Sequence, residues 1–433
     1  MPSAIDLDAA RLAPARLRSR RTLVTGVALG SVGHIAAVTI ATIAARDIAG
    51  STTLAGAPGA AVVGGAALGS AFVGWLAARR GRRPALVAGY GLGVAGALVA
   101  TAAVIMVSFP LLLIGTFFIG FGNSSNQASR YAAADLVAPE RRATAISTVV
   151  WAATVGAVVG PNLVPIAGGL VASVGLPVNA GPYLVPVVFV GAAALLTHLL
   201  LRPDPFELAH ASSRAAADAA PADDLRVILR RPIVISALVA LVIGQAVMTL
   251  IMTMTPLHMA THGHDLAAVG VVISAHTLGM FALAPISGRV TDRFGTVPVI
   301  FLGTAVLAAS SALAAVAPPD NEAILLVALF LLGWGWNLGF VAGSALLTSG
   351  VSLVERARIQ GLTDALIWSA AAVASAGSGV VVATAGYATL GMLGVAFVLL
   401  PVLVLANRRS RFPHTPSTTP TVIPADMDVA GDI

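Results

Sequence analysis

The sequence predicts an all-α membrane protein, with twelve transmembrane helices arranged as two pseudo-symmetric six-helix bundles. Three observations predict it. Of the 433 residues, 57% are hydrophobic and 10% charged, and mean hydropathy is +0.91, too apolar for a soluble domain. Twelve apolar runs each supply the ~20 helical residues that cross ~30 Å of hydrocarbon, whereas the alternating strands of a barrel are not seen. A short arginine-rich stretch, Gly74 to Pro84, is written again at Gly288 to Pro298, with Gly74, Arg79, Gly81 and Pro84 recurring 214 positions later. A repeat of that length marks two copies of one unit.

Taken in order, residues 1–20 form a basic arm before a first apolar run too long for the core of a signal peptide. Helices are predicted at 22–45, 55–78, 84–107, 110–133, 143–171, 181–201, 233–257, 266–288, 298–317, 322–348, 359–384 and 386–407. Residues 202–232, with Pro203, Pro205, Pro221 and an Ala/Asp run, read as a flexible or partly helical cytoplasmic linker between bundles at 21–201 and 233–407. The Pro- and Thr-rich 408–433 reads as a disordered cytoplasmic tail. An even number of helices sorts the arginines: 23 of 25 fall on one side, the exceptions being Arg46 and Arg130. Arginine excess marks the cytoplasmic side, which puts both termini there and the multi-pass chain in the cell membrane.

The net charge of +6 is thus a topological signal, and no nucleic-acid partner is expected. Absence of cysteine excludes disulfides, thiolate metal sites and cysteine nucleophiles. All basic residues but histidine are Arg, so the phosphate-binding loop of an ATPase, which needs Lys, is not available. No cofactor and no metal are expected: His258, His262 and His264 have ligand-like spacing but only Asp265 beside them. The spans leave no room for a soluble enzyme.

Each arginine stretch lies between two apolar runs. Gly74 and Gly288 permit close helix approach, Gly81 and Gly295 a positive φ, and Arg79, Arg82 and Arg293 complement negative helix ends. Further echoes pair Gly33-His34 with Gly244-Gln245, Gly120-Phe121-Gly122-Asn123 with Gly333-Trp334-Gly335-Trp336-Asn337, and Trp151 with Trp368. On these residues the chain resembles the major facilitator superfamily over about 20–410. That family's turn, Gly-x-Leu-Ala-Asp-Arg-x-Gly-Arg-Lys, is matched by Gly74, Leu76, Ala77, Arg79, Gly81, Arg82 and Arg83, with Ala78 in place of the Asp. The second copy keeps Asp292 and Arg293 but has Thr296 and Val297 where the later basic pair would stand. The resemblance implies two bundles rocking about a central site, with Gly74, Arg79, Gly81, Arg82, Gly288, Asp292, Arg293 and Gly295 in the gating loops. It also implies that the Asp of the turn latches one half to the other by facing a helix start. With Ala78 in the first copy, that task falls to Asp292, against the fifth helix near Arg142–Thr144. Gly156, Gly160 and Pro161 resemble the Gly-x-x-x-Gly-Pro signature of antiporter branches, although ordinary helix packing would use the same residues. Thr116 stands where drug exporters carry an Arg in the fourth helix, so no coupling role transfers from it.

Polar residues within the spans are few. Asp364, inside the eleventh helix, must face a cavity or a partner; it is the first candidate for proton coupling, with an ion pair to Arg356, Arg358 or Arg130 as the alternative. His34 titrates near neutral pH if wet, and is the second candidate, although a lone His is more often a satisfied polar contact; Arg130, the third, either binds an anionic substrate or, as expected here, neutralises Asp135. Asn123, Asn126, Gln127 and Arg130 share one face by their helical spacing and are expected to line the aqueous path, with polar contacts between the fourth helix and a neighbour as the alternative. Gln245, Thr249, Trp336 and Asn337 are expected to complete the substrate cavity from the second half. The predicted activity is proton-coupled export of a small, partly apolar molecule by alternating access, or uptake of a metabolite through the same fold. Its partners are that molecule, protons and the lipid bilayer, and a monomer is expected.

Overall fold

A computed structural model describes residues 4–50, 54, 56–213, 223–264, 266–318 and 321–408; the predicted tail after residue 408 and the Ala/Asp part of the linker lie outside them. The first bundle consists of α1 (Ala4–Ala49), α2 (Ala57–Arg80), α3 (Arg82–Ile105), α4 (Phe109–Ala134), α5 (Arg142–Ala172) and α6 (Gly181–Leu200). Two linker helices follow, α7 (Pro205–Ser213) and α8 (Leu225–Ile228). The second bundle is α9 (Pro232–Thr261), α10 (Leu266–Phe281), α11 (Ala284–Phe294), α12 (Thr296–Val316), α13 (Glu322–Ser349), α14 (Leu353–Ala385) and α15 (Tyr387–Arg408). Among the described residues there is no strand.

Eleven of these segments are long and apolar enough to cross a bilayer, α10 and α11 together forming one of them. The twelfth is α4, whose 26 residues suffice in length but carry a polar centre from Asn123 to Arg130. That centre is buried inside the bundle, away from lipid. Lipid-facing positions are apolar: Leu68, Val188, Val373 and Leu403 are exposed on the outer surface, where hydrocarbon tails would solvate them.

The structure departs from the predicted boundaries in three places, each with a local cause. Helix α1 runs back through the basic arm, because its Ala, Leu and Arg residues are strong helix formers that continue the first span. The predicted helix 266–288 is two helices broken at 282–283. Pro285, near the start of α11, lacks the N–H that would bond the Phe281 carbonyl, so the helix restarts there. Finally, the helices run on into the arginine stretches, leaving single-residue turns at Gly81 and Gly295, each at φ +92°. A side chain at that φ would be strained, which is why each copy has glycine there.

Packing joins the bundles at one end. An apolar cluster built on α9, α10, α12 and α13 reaches across to Ile146 and Val150 of α5. Gly74 of α2 meets Gly361 of α14 so closely that a Cβ on Gly74 would stand 2.6 Å from the Gly361 Cα. Both contacts lie toward the face that carries the arginine turns, called here the arginine face.

A cavity floored by a buried ion pair

Between the bundles lies a cavity of about 370 Å³. Asn123, Asn126, Gln127 and Arg130 line it from α4, His34 and Ser31 from α1, and Gln245 and Thr249 from α9. The rest of the wall is largely apolar, with four aromatic rings, Phe281, Trp336, Phe340 and Trp368, and three methionines, Met248, Met252 and Met280, among aliphatic side chains. The α4 run divides as its helical geometry requires. Ser124 and Ser125 point away from the cavity and donate to the Ala66 and Leu86 carbonyls of α2 and α3, both at 3.0 Å. This removes two hydroxyls from the apolar interior while fastening α4 to its neighbours.

Arg130 and Asp364 form the floor. Arg130 Nη2 donates to Asp364 Oδ1 at 2.5 Å, and both side chains are buried. The guanidinium also donates to the Tyr131 hydroxyl (2.9 Å), the Gln127 carbonyl and amide oxygens (2.7 and 3.0 Å) and Ser344 Oγ (3.4 Å). Its central carbon lies over the Tyr131 and Phe340 rings, 4.2 and 4.4 Å from the centroids. Five hydrogen bonds and two ring faces hold this cation in one place. Arg130 thus pairs with Asp364, and not with Asp135, the partner expected from the sequence. Asp135 sits beyond the end of α4 and is taken by Arg82 (2.8 Å) and Arg356 (3.1 Å).

A second arrangement orients the aromatic wall. Trp336 stacks on Phe340 (4.6 Å, 21°) and meets Phe281 edge-on (6.3 Å, 79°). Its indole N–H donates to Gln245 Oε1 at 2.9 Å, and the Gln245 amide donates to Thr249 Oγ1 at 3.2 Å. Asn337 is a correction: adjacent residues on a helix point about 100° apart, and with Trp336 on the cavity, Asn337 turns to the Met280 carbonyl (2.7 Å) outside it. His34 lines the cavity with its Nδ1 unpartnered. Phe281, Phe340 and Met280 were missed, because an apolar residue in an apolar span carries no signal of which way it faces; Ser31 was missed although its hydroxyl, three residues before His34 on α1, shares that face.

On the arginine face the two bundles are joined by polar contacts. Asp292 accepts hydrogen bonds from the first amides of α5, Ala143 N at 3.0 Å and Thr144 N at 2.9 Å, a carboxylate on the positive end of a helix. Arg82 reaches Gln360 of α14 at 2.6 Å while holding Asp135, which also binds Arg356 of α14. At the position that pairs with Asp292 stands Ala78, and the start of α14 is capped from its own side instead. Ser352 and Glu355 form a capping box, and Arg231 holds Glu355 at 2.8 Å. Hydrogen bonds that it donates to Glu355 and Asp223 push the Arg231 guanidinium above its ordinary pKa. Arg79 and Arg293 lie over Trp75 and Phe294, 4.6 and 5.4 Å to the ring centroids. Gly288 packs on Ser147, and the antiporter-like Gly156 and Gly160 pack on Ser31 and Ile35 of α1, with Pro161 following.

One connection left no trace in the sequence. Asp204, from the linker, accepts from the first two amides of α3, Arg82 N (3.1 Å) and Arg83 N (2.8 Å), and from Phe206 N (2.8 Å). The carboxylate caps α3 and α7 at once.

Comparison with known proteins agrees with this architecture. The profile of the Major Facilitator Superfamily matches residues 22–268 and again 238–425. An uncharacterized MFS-type transporter of Bacillus subtilis, YdeG, is 38% identical over 389 residues, 88% of this chain and 90% of its own. The riboflavin transporter RfnT of Brucella anthropi is 33% identical over 348 residues, 78% of this chain and 83% of its own. In three dimensions the chain is similar to the transporter FucP in its outward conformation, with a TM-score of 0.73 at 15% identity, over 91% of this chain and 99% of that one.

Proposed function

The chain belongs to the Major Facilitator Superfamily and is a membrane-embedded secondary transporter of small molecules, not an enzyme, and from that premise we propose that it moves a flat, largely aromatic molecule in exchange for protons. The buried Arg130–Asp364 pair on the cavity floor carries this reading. A carboxylate facing both a central cavity and a fixed cation can hold a proton in one state and an ion pair in the other, which couples substrate affinity to protonation. The Trp336–Phe340 stack and the Gln245, Asn126 and Gln127 amides suit a planar ring with hydrogen-bonding edges. Similarity to a riboflavin transporter supports that substrate class. The arginine face is taken as cytoplasmic, so that this conformation, sealed at that face, is outward-facing. Gly156 and Gly160, packed on α1, and Pro161 after them keep the antiporter-like pattern and support exchange and hence export.

The test is transport in proteoliposomes with an imposed pH gradient, using riboflavin and a panel of planar aromatic compounds. Accumulation against the substrate gradient that follows the pH gradient with opposite sign supports export. Movement of substrate with the proton gradient assigns uptake, and indifference to pH sinks the coupling. Trp336→Ala is expected to weaken binding of the aromatic compound by about tenfold, since one aromatic contact is worth ~0.5–1.5 kcal/mol beyond its buried area. Titration calorimetry on purified protein reads it.

The latch is tested separately. Asp292→Asn keeps one acceptor but removes the charge on the α5 amides, worth ~0.3–1 kcal/mol or more where shielded. The arginine face is then expected to open more often. Because the chain has no cysteine, a single Cys at Ser147, beneath the latch, reports directly: its labelling rate from the arginine face should rise several-fold when Asp292→Asn is also present.

A further inference from the structure

Below the ion pair, toward the arginine face, lies a second and much smaller cavity of about 10 Å³ between α2, α3, α4 and α14. Asp364 and Tyr131 line its upper end, and Gln360 and Arg82 also line it. Ser70 joins them from α2. Two of these groups, Ser70 Oγ and Gln360 Nε2, are buried polar atoms with no hydrogen-bond partner, and their side chains are among the most deeply buried in the protein (3% and 1% exposed). An unmatched polar group so far from solvent costs ~1–3 kcal/mol. A cavity of roughly one probe sphere with two to four polar neighbours is the setting in which a buried water is held.

We propose that this cavity binds one water molecule, shared by Ser70, Gln360 and Asp364, and that the water is the outlet by which the proton of Asp364 reaches the arginine face. The inference rests on the proposed role of Asp364 as the proton carrier. Beyond the water the next carboxylate toward the arginine face is Asp135, reached past Arg82. Arg82 lines the small cavity and holds Asp135 at 2.8 Å, and Asp135 in turn lines a pocket of about 410 Å³ that Arg16, Arg142 and Arg356 share on the arginine face. In the transfer, the Asp364 O–H bond breaks as a new O–H bond forms on the water, which gives its own proton onward to the Asp135 carboxylate. Asp135 then releases it to solvent in the arginine-face pocket. The charged and titratable groups facing the route are Arg130, Tyr131 and Asp135 from the α4 segment, Arg82 from α3, Arg356 and Asp364 from α14, and, at the arginine-face pocket, Arg16 from α1 and Arg142 from α5. The aligned face of α2 offers only the Ser70 hydroxyl. Arg82 takes no proton in this transfer; its bond fixes where the Asp135 carboxylate stands. The consequence is that Asp364 can exchange its proton with one side while the two bundles remain closed against substrate on that side.

The full-length protein, reconstituted in vesicles with the arginine face outward so that a pH jump reaches that face alone, tests this without knowledge of the substrate. Infrared absorption after a pH jump follows the carboxyl band of Asp364, identified as the band that Asp364→Asn removes. Ser70→Val fills the cavity and Gln360→Leu removes the amide at nearly constant volume; either is expected to slow the band's decay by about a hundredfold, the scale of losing a positioned proton partner. Decay within about twofold of wild type in both variants overturns the inference while leaving Asp364 as the carrier. Absence of any band that Asp364→Asn removes overturns the carrier assignment itself, and the outlet with it. Labelling of a single Cys at Ser147 checks that closure is intact in each variant, so that a slow decay with unchanged labelling is read as loss of the outlet.

Discussion

Arg130→Met, with Asp364 left in place, is expected to end transport and to lower stability by about 3–5 kcal/mol, the cost of stranding a buried charge. Among the described residues the guanidinium is the only cation bonded to Asp364, and it also supplies the cross-bundle bond to Ser344. Methionine retains the contacts with Phe340 and Tyr131 but none of the five hydrogen bonds. Asp364 must then take up a proton or admit water into the floor. The double variant Arg130→Met, Asp364→Leu tests the charge argument, because removing both partners of a buried pair is often neutral or stabilising. Recovery of thermal stability in detergent, without recovery of proton-driven transport, is the expected pattern. If the double variant is no more stable than Arg130→Met, the loss is one of packing and the stranded charge is not its cause.

The second large effect is steric. In Gly74→Val the new Cβ would fall 2.6 Å from the Gly361 Cα and 2.9 Å from the Ala357 carbonyl oxygen, both backbone atoms that cannot yield locally. The bundles are therefore expected to stay apart on the arginine face, with transport below about a tenth of wild type, since forced overlap in close packing costs ~1–3 kcal/mol or more. Folding should survive, because each bundle keeps its own core. Gly361→Val should give the same phenotype from the other side. Gly377→Val of α14 is the control: nothing lies within 4 Å of its added Cβ. Cysteine accessibility from the arginine face, high in both crossing variants and low in the control, decides it.

These two sites also show how far the sequence was legible. Gly74 and Gly81 were readable because the chain writes them twice, and a repeat of backbone requirements survives where side-chain chemistry diverges. The cavity face of α4 was readable because polar residues inside an apolar bundle must find partners or water, and their spacing fixes a common direction. The partner of Arg130 was not readable. Asp135 is five residues away and Asp364 is 234, and nothing local tells which carboxylate a long side chain will meet once α4 and α14 are side by side. Asp204 was invisible for the same reason: a lone acid after a helix looks like solvent-facing charge until the turn at Gly81 is folded against it. The break at 282–283 could have been found, since Pro285 lies inside an otherwise continuous apolar run. The Phe281 and Phe340 rings could not, because hydrophobicity alone does not distinguish a wall of a cavity from a face in lipid.

Asp135 binds one arginine of its own bundle and one of the other. When the bundles separate, Arg82 travels with the carboxylate, and Arg356, at the rim, keeps its bond to the Thr348 carbonyl but has no carboxylate left against its charge. Inorganic anions that settle on an uncompensated guanidinium would do so only in the separated form, and by mass action would enlarge its population. The resting balance of this carrier is therefore tied to the ionic make-up of the solution bathing that rim, quite apart from the gradients that drive it.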